Sequence, residues 1–383
     1  MKRFLFILGR TPTLGFLELQ SLYPTITRLS SGIAAYDGEL DAQAVMAHLG
    51  GTIKIAQVIG EVSEIHTDSL VDVLVPLSHE GKIVFGVSVY GDPTKVSASV
   101  LRALKNELVN RNIVTRYIEA KHESTLSSVV VTKQHAVDLV IVVQNGSYIL
   151  AHTVAVQDFE DWNTRDFGRP AADPKRGMLP PKVARMIVNI AGGGDASGTK
   201  RVLLDPFCGV GTILGEAQLA GWNVVGSDID PVAIAKTEKN LAWLRSQYGL
   251  LQRKAPTIFV MDATHISTVQ KPDSVDAIVT EPFMGDPSYG GKHATVTHEL
   301  VRNTLKGLEK LYIGCLREWT RVLKSGGQIV IALPEYSVQG RTLTVKNIVD
   351  RCESLGYTLV AGPIEYSRPQ AMVRRQFFVF KKK

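Results

Sequence analysis

Residues 201–212, RVLLDPFCGVGT, suggest a buried strand, a glycine loop and the start of a helix. The apolar run ends in Asp205, and continuous apolar runs are typical of strands buried on both faces of a parallel sheet. Gly209 and Gly211 lack a Cβ atom, so the backbone could turn tightly there and approach a ligand closely. A plain turn between strand and helix is the alternative. The dinucleotide fingerprint G-x-G-x-x-G is not met, because its third glycine would fall at Leu214, and this disfavours a dehydrogenase.

Strands and helices alternate after this loop. We predict helices at 212–220, 231–247, within 298–323 and near 344–355, and strands at 201–205, 222–228, 257–262, 275–281 and 326–334. This alternation is typical of a doubly wound, Rossmann-like α/β sheet. The last two apolar runs, TLVAGPIEY and QFFVFKK, have no helix between them and predict an antiparallel hairpin at the edge of the sheet.

Each of the first four strands ends in an acidic residue: Asp205, Asp228, Asp262 and Glu281. Ligands of open α/β sheets bind at the carboxyl ends of the strands, where the strand order reverses. Asp228, 17 residues after Gly211, fits an adenosine ligand, since its carboxylate could accept hydrogen bonds from both ribose hydroxyls. Asp262 could accept one from the adenine amino group, although a helix cap explains this residue equally well. Together the four acids favour a ligand site.

The composition, with 45% hydrophobic and 21% charged residues, is that of a soluble globular protein. At 383 residues the chain is too long for one compact core, so two or three domains are expected. No apolar run is long enough to predict a membrane span, and the opening FLFIL is too short for a signal peptide. The cysteines Cys208, Cys315 and Cys352 are isolated, which predicts a cytoplasmic protein without a structural zinc site.

The charge divides the chain near residue 160. Residues 1–160 contain 13 basic and 16 acidic residues, whereas residues 161–383 contain 30 basic and 21 acidic ones. The basic second part permits an anionic partner such as nucleic acid, although a solubilising tail explains the basic end, SRPQAMVRRQFFVFKKK, equally well. The first part mixes short strands with a helix at 96–112, which predicts one or two small α+β units.

Several segments are similar to one family of enzymes. The loop DPFCGVGT, the segment GSDIDP at 226–231 and Asn240 resemble a class I S-adenosylmethionine-dependent methyltransferase. The segment RDFGRPAADPKRGMLPPKVARMIVNIA at 165–191 and the opening FLFILGRTPTLGFLELQSL resemble THUMP-containing RNA methyltransferases, in particular the tRNA guanine-N2 methyltransferases acting at position 10. The resemblance implies a ferredoxin-like unit at 1–60, a THUMP-like RNA-binding domain at 61–157 and a methyltransferase domain at 158–383.

The resemblance also implies a cofactor and a partner. S-adenosylmethionine would be bound by residues of the strand ends and the glycine loop: Asp205, Phe207, Gly209, Gly211, Thr212, Asp228, Ile229, Asp262 and Ala263. A tRNA or another structured RNA would be bound by basic residues: Arg102, Lys105, Arg111, Arg169 and Lys182. For the three residues of the helix at 96–112, a solvated helix face is the alternative. A small activator subunit is compatible with the family.

Residues 279–285, VTEPFMG, correspond to the family's catalytic stretch T-D-P-P-Y-G. The threonine, the first proline and the glycine agree without a gap, whereas Glu281 replaces the Asp, Phe283 the second proline and Met284 the aromatic residue. The resemblance implies that Glu281 and the carbonyl of Pro282 accept the hydrogens of a guanine amino group, while Phe283 stacks on the extruded base. Three interpretations stay open: an RNA amino-methyltransferase, which we favour, a DNA amino-methyltransferase, and a silent RNA-binding protein in which Glu281 only caps the following turn.

Overall fold

A computed structural model describes residues 2–96, 98–120, 124–144, 146–172, 178–192, 201–286, 296–367 and 373–383. The chain divides into two compact units, one formed by Met1–Pro12 and Tyr23–Glu160 and the other by Thr13–Leu22 and Asp161–Lys383. Helix α1 (Pro12–Leu22) is therefore part of the second unit in all but its first residue. Its buried Glu18 accepts a hydrogen bond from Asn189 at 2.7 Å.

The first unit is built on one mixed sheet. Its described strands are β1 (Arg3–Leu8), β2 (Thr27–Ser30), β3 (Ile33–Asp37), β4 (Thr52–Val62), β5 (Lys82–Tyr90), β6 (Val114–Ile118), β7 (Val137–Gln144) and β8 (Ser147–Val156). They lie in the order β2-β3-β1-β4-β8-β7-β5-β6, so that β4 joins the two halves of the sheet. The helices of this unit are α2 (Ala42–His48), α3 (Thr67–Leu74), α4 (Ala98–Asn110) and α5 (Ser128–Lys133). Helix α4 confirms the helix predicted at 96–112.

A buried ion pair crosses the middle of this sheet. Lys54 Nζ lies 2.6 Å from Asp138 Oδ2 and also donates to the carbonyl of Leu126 at 2.6 Å. The hydroxyls of Ser88 and Thr153 donate to the same carboxylate. Because both charges are removed from water, these additional hydrogen bonds are what makes the pair tolerable in the core.

The second unit holds the remaining elements. Besides α1, its helices are α6 (Phe159–Phe167, whose first two residues belong to the first unit), α7 (Pro181–Ile190), α8 (Thr212–Leu219), α9 (Pro231–Gln247), α10 (His298–Val322) and α11 (Lys346–Arg351). Its strands are β9 (Val202–Asp205), β10 (Asn223–Asp228), β11 (Thr257–Val260), β12 (Val275–Thr280), β13 (Leu323–Val338), β14 (Arg341–Thr344), β15 (Tyr357–Tyr366) and β16 (Val373–Lys382). Within the described residues of either unit, no helix is long and apolar enough to cross a bilayer.

The strand order of the second sheet is β11-β10-β9-β12-β13-β16-β15. The first five strands pair in parallel, whereas β16 pairs antiparallel with both β13 and β15. The predicted doubly wound α/β sheet and its antiparallel edge hairpin are therefore confirmed. Strand β16 lies between β13 and β15, and β15 forms the edge of the sheet.

The largest differences from the predicted extents are in two elements. The strand predicted at 326–334 runs from Leu323 to Val338, because β16 pairs along most of it and β14 extends it into a tight hairpin. Gln339 and Gly340 close that hairpin with left-handed φ values of 46° and 75°. The helix predicted near 344–355 is divided into α11 and a 3₁₀ turn at Glu353–Leu355. Pairing with β16, a distant segment that local propensity does not report, accounts for the length of β13.

Both faces of the parallel strands are covered. Leu203 of β9 and Val279 of β12 pack in one core with α7 and α8, whereas Leu204 and Ile278 pack in another with α10. Successive side chains of a strand point to opposite faces, and all four of these are fully buried. This arrangement explains why the strands are continuous apolar runs instead of alternating ones.

Candidate active site

The carboxyl ends of β9 and β12 meet where the strand order reverses. From β9 the sheet continues to β10 and β11 on one side, whereas β12 and β13 lie on the other. Asp205 ends β9, Asp228 ends β10 and Thr280 ends β12. The hydroxyl of Thr280 donates a hydrogen bond to Asp205 Oδ1 at 2.7 Å, which joins the two strand ends directly. Ligands of open α/β sheets bind at such a reversal.

The glycine loop, residues 206–211, turns the chain from β9 into α8. Gly209 and Gly211 have left-handed φ values of 54° and 85°, which residues with a side chain rarely adopt. A Cβ atom built on Gly209 would meet nothing within 4 Å, so an open space lies in front of this residue. A Cβ atom on Gly211 would lie 3.0 Å from the side chain of Thr237. One glycine therefore leaves room for a ligand, and the other allows close packing on α9.

Neighbouring elements hold the glycine loop in place. The backbone N–H of Gly209 donates to Asp228 Oδ2 at 3.0 Å, and its carbonyl accepts from Thr237 Oγ1 at 2.7 Å. Asn240 Nδ2 donates to the carbonyl of Val210 at 2.8 Å. Asp228, at the end of β10, thus supports the glycine loop. Sequence reasoning missed Thr237, because a threonine in the middle of a helix carries no local signal of such a contact.

Asp205 is 1% exposed. Burial raises its pKa to about 7, although hydrogen bonds from Thr280 and from the backbone N–H of Phe207 oppose the rise. The nearby carboxylates of Asp228 and Glu281 raise this pKa further. A positive charge bound beside Asp205 would favour the ionised form of its carboxyl group.

Asp262 has the capping role that the sequence left open. Its Oδ1 atom accepts hydrogen bonds from the backbone N–H and the hydroxyl of Thr264, each at 2.8 Å, at the start of a 3₁₀ helix (Ala263–Thr268). The same hydrogen bonds lower the pKa of the Asp262 carboxyl group. The cap is therefore confirmed, and the contact with an adenine amino group stays a prediction.

The apolar residues predicted for the cofactor differ in exposure. The ring of Phe207 lies edge-on to that of Trp319, with centroids 6.5 Å apart, and Trp319 donates to the carbonyl of buried Ala263 at 3.1 Å. Ile229, directly after Asp228, is exposed. Trp319 on α10 therefore links the segments that follow β9 and β11, and Ile229 is accessible to cover a flat ligand.

Residues 281–285, called here the acceptor loop, follow β12. Glu281 Oε1 accepts a hydrogen bond from Arg375 Nε at 2.5 Å, and the two side chains are 19% and 15% exposed. Pro282 is buried, whereas Phe283 is 56% exposed. The structure therefore brings Glu281 and the glycine loop to neighbouring strand ends and leaves an aromatic ring accessible beside them. Sequence reasoning did not identify Arg375 as a partner of Glu281, because the two lie 94 positions apart.

Two buried tyrosines bind the backbone of the acceptor loop. Tyr312 of α10 donates to the carbonyl of Phe283 at 2.6 Å, and Tyr336 of β13 donates to the carbonyl of Met284. Gly285 has a φ of 104°, and a Cβ atom there would clash with the hydroxyl of Tyr336. The path of the loop is thus determined by side chains outside the VTEPFMG stretch.

The residues predicted to bind RNA have different surroundings. Arg102 and Lys105 are exposed on α4. Arg111 follows α4 and is paired with Asp72 at 3.2 Å and with Glu107 at 3.3 Å. Lys182, on α7 of the second unit, is half-buried, and its Nζ lies 5.8 Å from the ring centroid of Trp162.

Arg169, the remaining residue predicted to bind RNA, is buried. Its side chain is only 5% exposed, and its guanidinium group donates to Thr212 Oγ1 at 2.7 Å and to Asp166 Oδ1 at 3.1 Å. Burial lowers the pKa of this guanidinium. The guanidinium group is turned into the protein, where it supports the first residue of α8 behind the glycine loop, and RNA binding by Arg169 stays a prediction.

A second buried charge network supports α8. Glu216 of α8 lies between two arginines, with Arg165 Nη1 and Arg185 Nη2 each 2.8 Å from its Oε2 atom. Arg165 also pairs with Asp161 at 2.6 Å, and its guanidinium lies over the ring of Trp162 at 3.6 Å. The network joins α6, α7 and α8, and nothing in the local sequence pattern indicated it.

Comparisons with known proteins agree with this fold. Residues 169–355 match the family model described as UPF0020, an RMKL-like methyltransferase domain. The fold is similar to that of TrmN from Thermus thermophilus, with a TM-score of 0.55 and 18% identity over the whole of both chains. SMU.472 complexed with SAH gives a TM-score of 0.50 and 12% identity, over 99% of this chain and 98% of that one. Residues 169–355 of the second unit are therefore similar to a methyltransferase domain, and the fold is the one seen in these structures.

Two curated relatives are similar over part of their length. A tRNA (guanine(10)-N2)-dimethyltransferase from Methanothermobacter thermautotrophicus is 36% identical over 195 residues, which cover 50% of this chain and 49% of the relative. An enzyme of the same description from Methanocaldococcus jannaschii is 30% identical over 216 residues, covering 55% and 53%. The chain thus spans about half the length of the curated relatives that it matches.

Proposed function

We propose that this protein is an S-adenosylmethionine-dependent RNA methyltransferase that modifies the exocyclic N2 of a guanine in tRNA. The proposal rests mainly on the position of two loops side by side. The glycine loop with Asp228 and the acceptor loop with Glu281 follow neighbouring strands and meet at the reversal of the sheet. A methyl donor and an amine acceptor would need such adjacent sites, and the curated relatives are described as tRNA guanine-N2 dimethyltransferases.

The residues around the glycine loop fit S-adenosylmethionine. Any side chain at position 209 would fill the open space in front of it. A glycine is therefore expected here if a ligand approaches the backbone. Asp228 would accept hydrogen bonds from the ribose, and the segment at Asp262 and Ala263 would contact the adenine. Buried Asp205 would become more readily ionised beside a positive charge. The bound cofactor supplies a methyl group on a positively charged sulfur, so the chain has mainly to position the two reactants.

The acceptor loop fits an aromatic amine. Glu281 and the carbonyl of Pro282 would accept the two hydrogens of the guanine amino group and direct its lone pair towards the methyl group. Glu281 would take a proton as positive charge develops on the nitrogen, without any need to deprotonate the amine beforehand. The exposed ring of Phe283 would stack on the base once it is extruded from the RNA.

The finer assignments belong to the same proposal. We infer a ferredoxin-like unit at 1–60, a THUMP-like domain at 61–157 and a methyltransferase domain at 158–383, with tRNA bound mainly by the first two. The exposed Arg102 and Lys105 on α4 support this assignment. A tRNA-modifying enzyme of this kind would act in the cytoplasm, with or without a small activator subunit.

Binding of the cofactor tests the first half of the proposal. We expect isothermal titration calorimetry to show binding of S-adenosylmethionine and of its demethylated product. Asp228→Ala should weaken that binding by about 1.5–3 kcal/mol, because hydrogen bonds to a charged carboxylate are lost. Asp230→Asn is the matched control, since Asp230 caps α9 two residues away and asparagine preserves a cap. No binding by the wild-type protein would refute the proposed function.

Binding of RNA tests the second half. The double variant Arg102→Gln/Lys105→Gln should weaken tRNA binding. It should also reduce the slope of log affinity against log salt concentration by the amount that corresponds to about one to two phosphate contacts. The control variant Lys254→Gln/Lys271→Gln removes the same charge from exposed residues before β11 and β12, at the amino ends of the strands. Equal effects of the two variants in filter-binding titrations, or equal affinity for duplex DNA of the same length, would count against the assignment.

A further inference from the structure

The acceptor loop of this protein lacks one of the two prolines that the resembling family places there. Proline fixes its own φ angle, so two consecutive prolines stiffen a loop that must present hydrogen-bond acceptors accurately. Here Pro282 is followed by Phe283 and Met284, whose backbone angles are not fixed covalently. Something else has to restrict this backbone if the carbonyl of Pro282 is to be held in one position.

The hydroxyls of Tyr312 and Tyr336 are placed to do this. Each donates to the carbonyl of one of the two residues that follow Pro282. The tyrosines are 1% and 0% exposed, and they belong to α10 and β13, two elements of one hydrophobic core. Burial raises the pKa of Tyr312 well above its usual range, so this hydroxyl stays a donor at any working pH. Since little water can compete, both hydrogen bonds hold the loop against a rigid support.

The two hydrogen bonds also select which carbonyl remains for a substrate. They engage the carbonyls of Phe283 and Met284, whereas no described residue donates to that of Pro282. Gly285 completes the arrangement, because any side chain at this position would displace the hydroxyl of Tyr336. The backbone of the loop is therefore held on one side of Pro282 by tyrosines, and on the other by β12.

We propose that Tyr312 and Tyr336 are positioning residues for methyl transfer, and that they replace the rigidity of the missing second proline. They would act through the acceptor loop without touching the substrate. This inference rests on the proposed function, because the loop has to be an amine acceptor for its rigidity to affect turnover.

The test uses the full-length protein with Tyr312→Phe and Tyr336→Phe, each of which removes one oxygen atom and preserves the ring. Tyr357→Phe is the matched control: Tyr357 is also fully buried in the same core, and its hydroxyl donates to the carbonyl of Leu316 at 2.8 Å, away from the loop. We expect kcat on tRNA to fall about 5- to 30-fold in each of the first two variants, the fold-change that corresponds to one buried hydrogen bond. The Kd for S-adenosylmethionine and the KM for tRNA should stay within about twofold of the wild-type values.

Hydrogen–deuterium exchange supplies a readout that a general loss of stability would not reproduce. Backbone exchange at residues 283–286 should rise in Tyr312→Phe and Tyr336→Phe and stay unchanged in Tyr357→Phe. An unchanged kcat in both loop variants, or an equal fall of kcat in Tyr357→Phe, would overturn the inference. If one loop variant fails to fold, the other decides. An inactive wild-type protein would instead refute the proposed function, so the two failures are distinguishable.

Discussion

Glu281→Gln is expected to lose at least about 100-fold in turnover while binding of cofactor and tRNA is preserved. Glutamine has nearly the same size and keeps one acceptor oxygen, but it has no charge to stabilise the developing cation and cannot take its proton. Arg375, which lies 2.5 Å from Glu281, would keep the position of the side chain roughly unchanged. Single-turnover methylation of tRNA under saturating cofactor is the measurement that separates this chemical step from binding.

Glu335→Gln is the matched control for this variant. Glu335 is 16% exposed and pairs with Arg374 at 3.7 Å, so it resembles Glu281 in burial and in having an arginine partner. Its substitution should leave turnover within about twofold of the wild-type rate. Glu281→Asp should be partly active, since the shorter acid keeps the charge but has to reach both Arg375 and the amine. An active enzyme that is indifferent to Glu281→Gln would show that this glutamate is structural, and a wild-type protein that binds cofactor and tRNA without turnover would be the silent alternative.

Glu216→Gln is expected to lower the free energy of unfolding of the second unit by about 3–5 kcal/mol. The carboxylate lies between Arg165 and Arg185, and all three side chains are at most 5% exposed. Neutralising Glu216 leaves two buried guanidinium groups with too little compensating negative charge. The remaining acid of the network, Asp161, pairs with Arg165 but not with Arg185. Urea unfolding followed by the fluorescence of Trp162 and the other tryptophans measures the change.

The control for Glu216 is Glu238→Gln on α9, an exposed glutamate whose substitution should change stability by less than about 0.5 kcal/mol. A loss below about 1 kcal/mol in Glu216→Gln would mean that the three charges contribute little beyond their packing. Because α8 carries the end of the glycine loop, the Kd for S-adenosylmethionine should rise in Glu216→Gln even under conditions where the domain is fully folded.

Much of the second unit could be predicted because its signals are local. The parallel strands are continuous apolar runs, since helices cover both faces of the sheet, and their limits at Asp205 and Asp228 agree within a residue or two. The glycine loop was recognisable because left-handed φ values at Gly209 and Gly211 require that residue type. The strand-end acids could be assigned to one place because parallel strands bring their carboxyl ends to one edge.

The sequence by itself therefore determined the α/β sheet, its antiparallel hairpin and the strand ends at which a ligand would bind. Only the tertiary structure decided which side chains surround those ends. Arg375 is paired with Glu281, and Tyr312 holds the acceptor loop. Arg169 is turned inward, although its charge predicted an exposed side chain. The physical reason is the range of the interactions: periodicity and backbone conformation act over a few residues, whereas burial and pairing of a charge depend on segments that meet only after the sheet has formed.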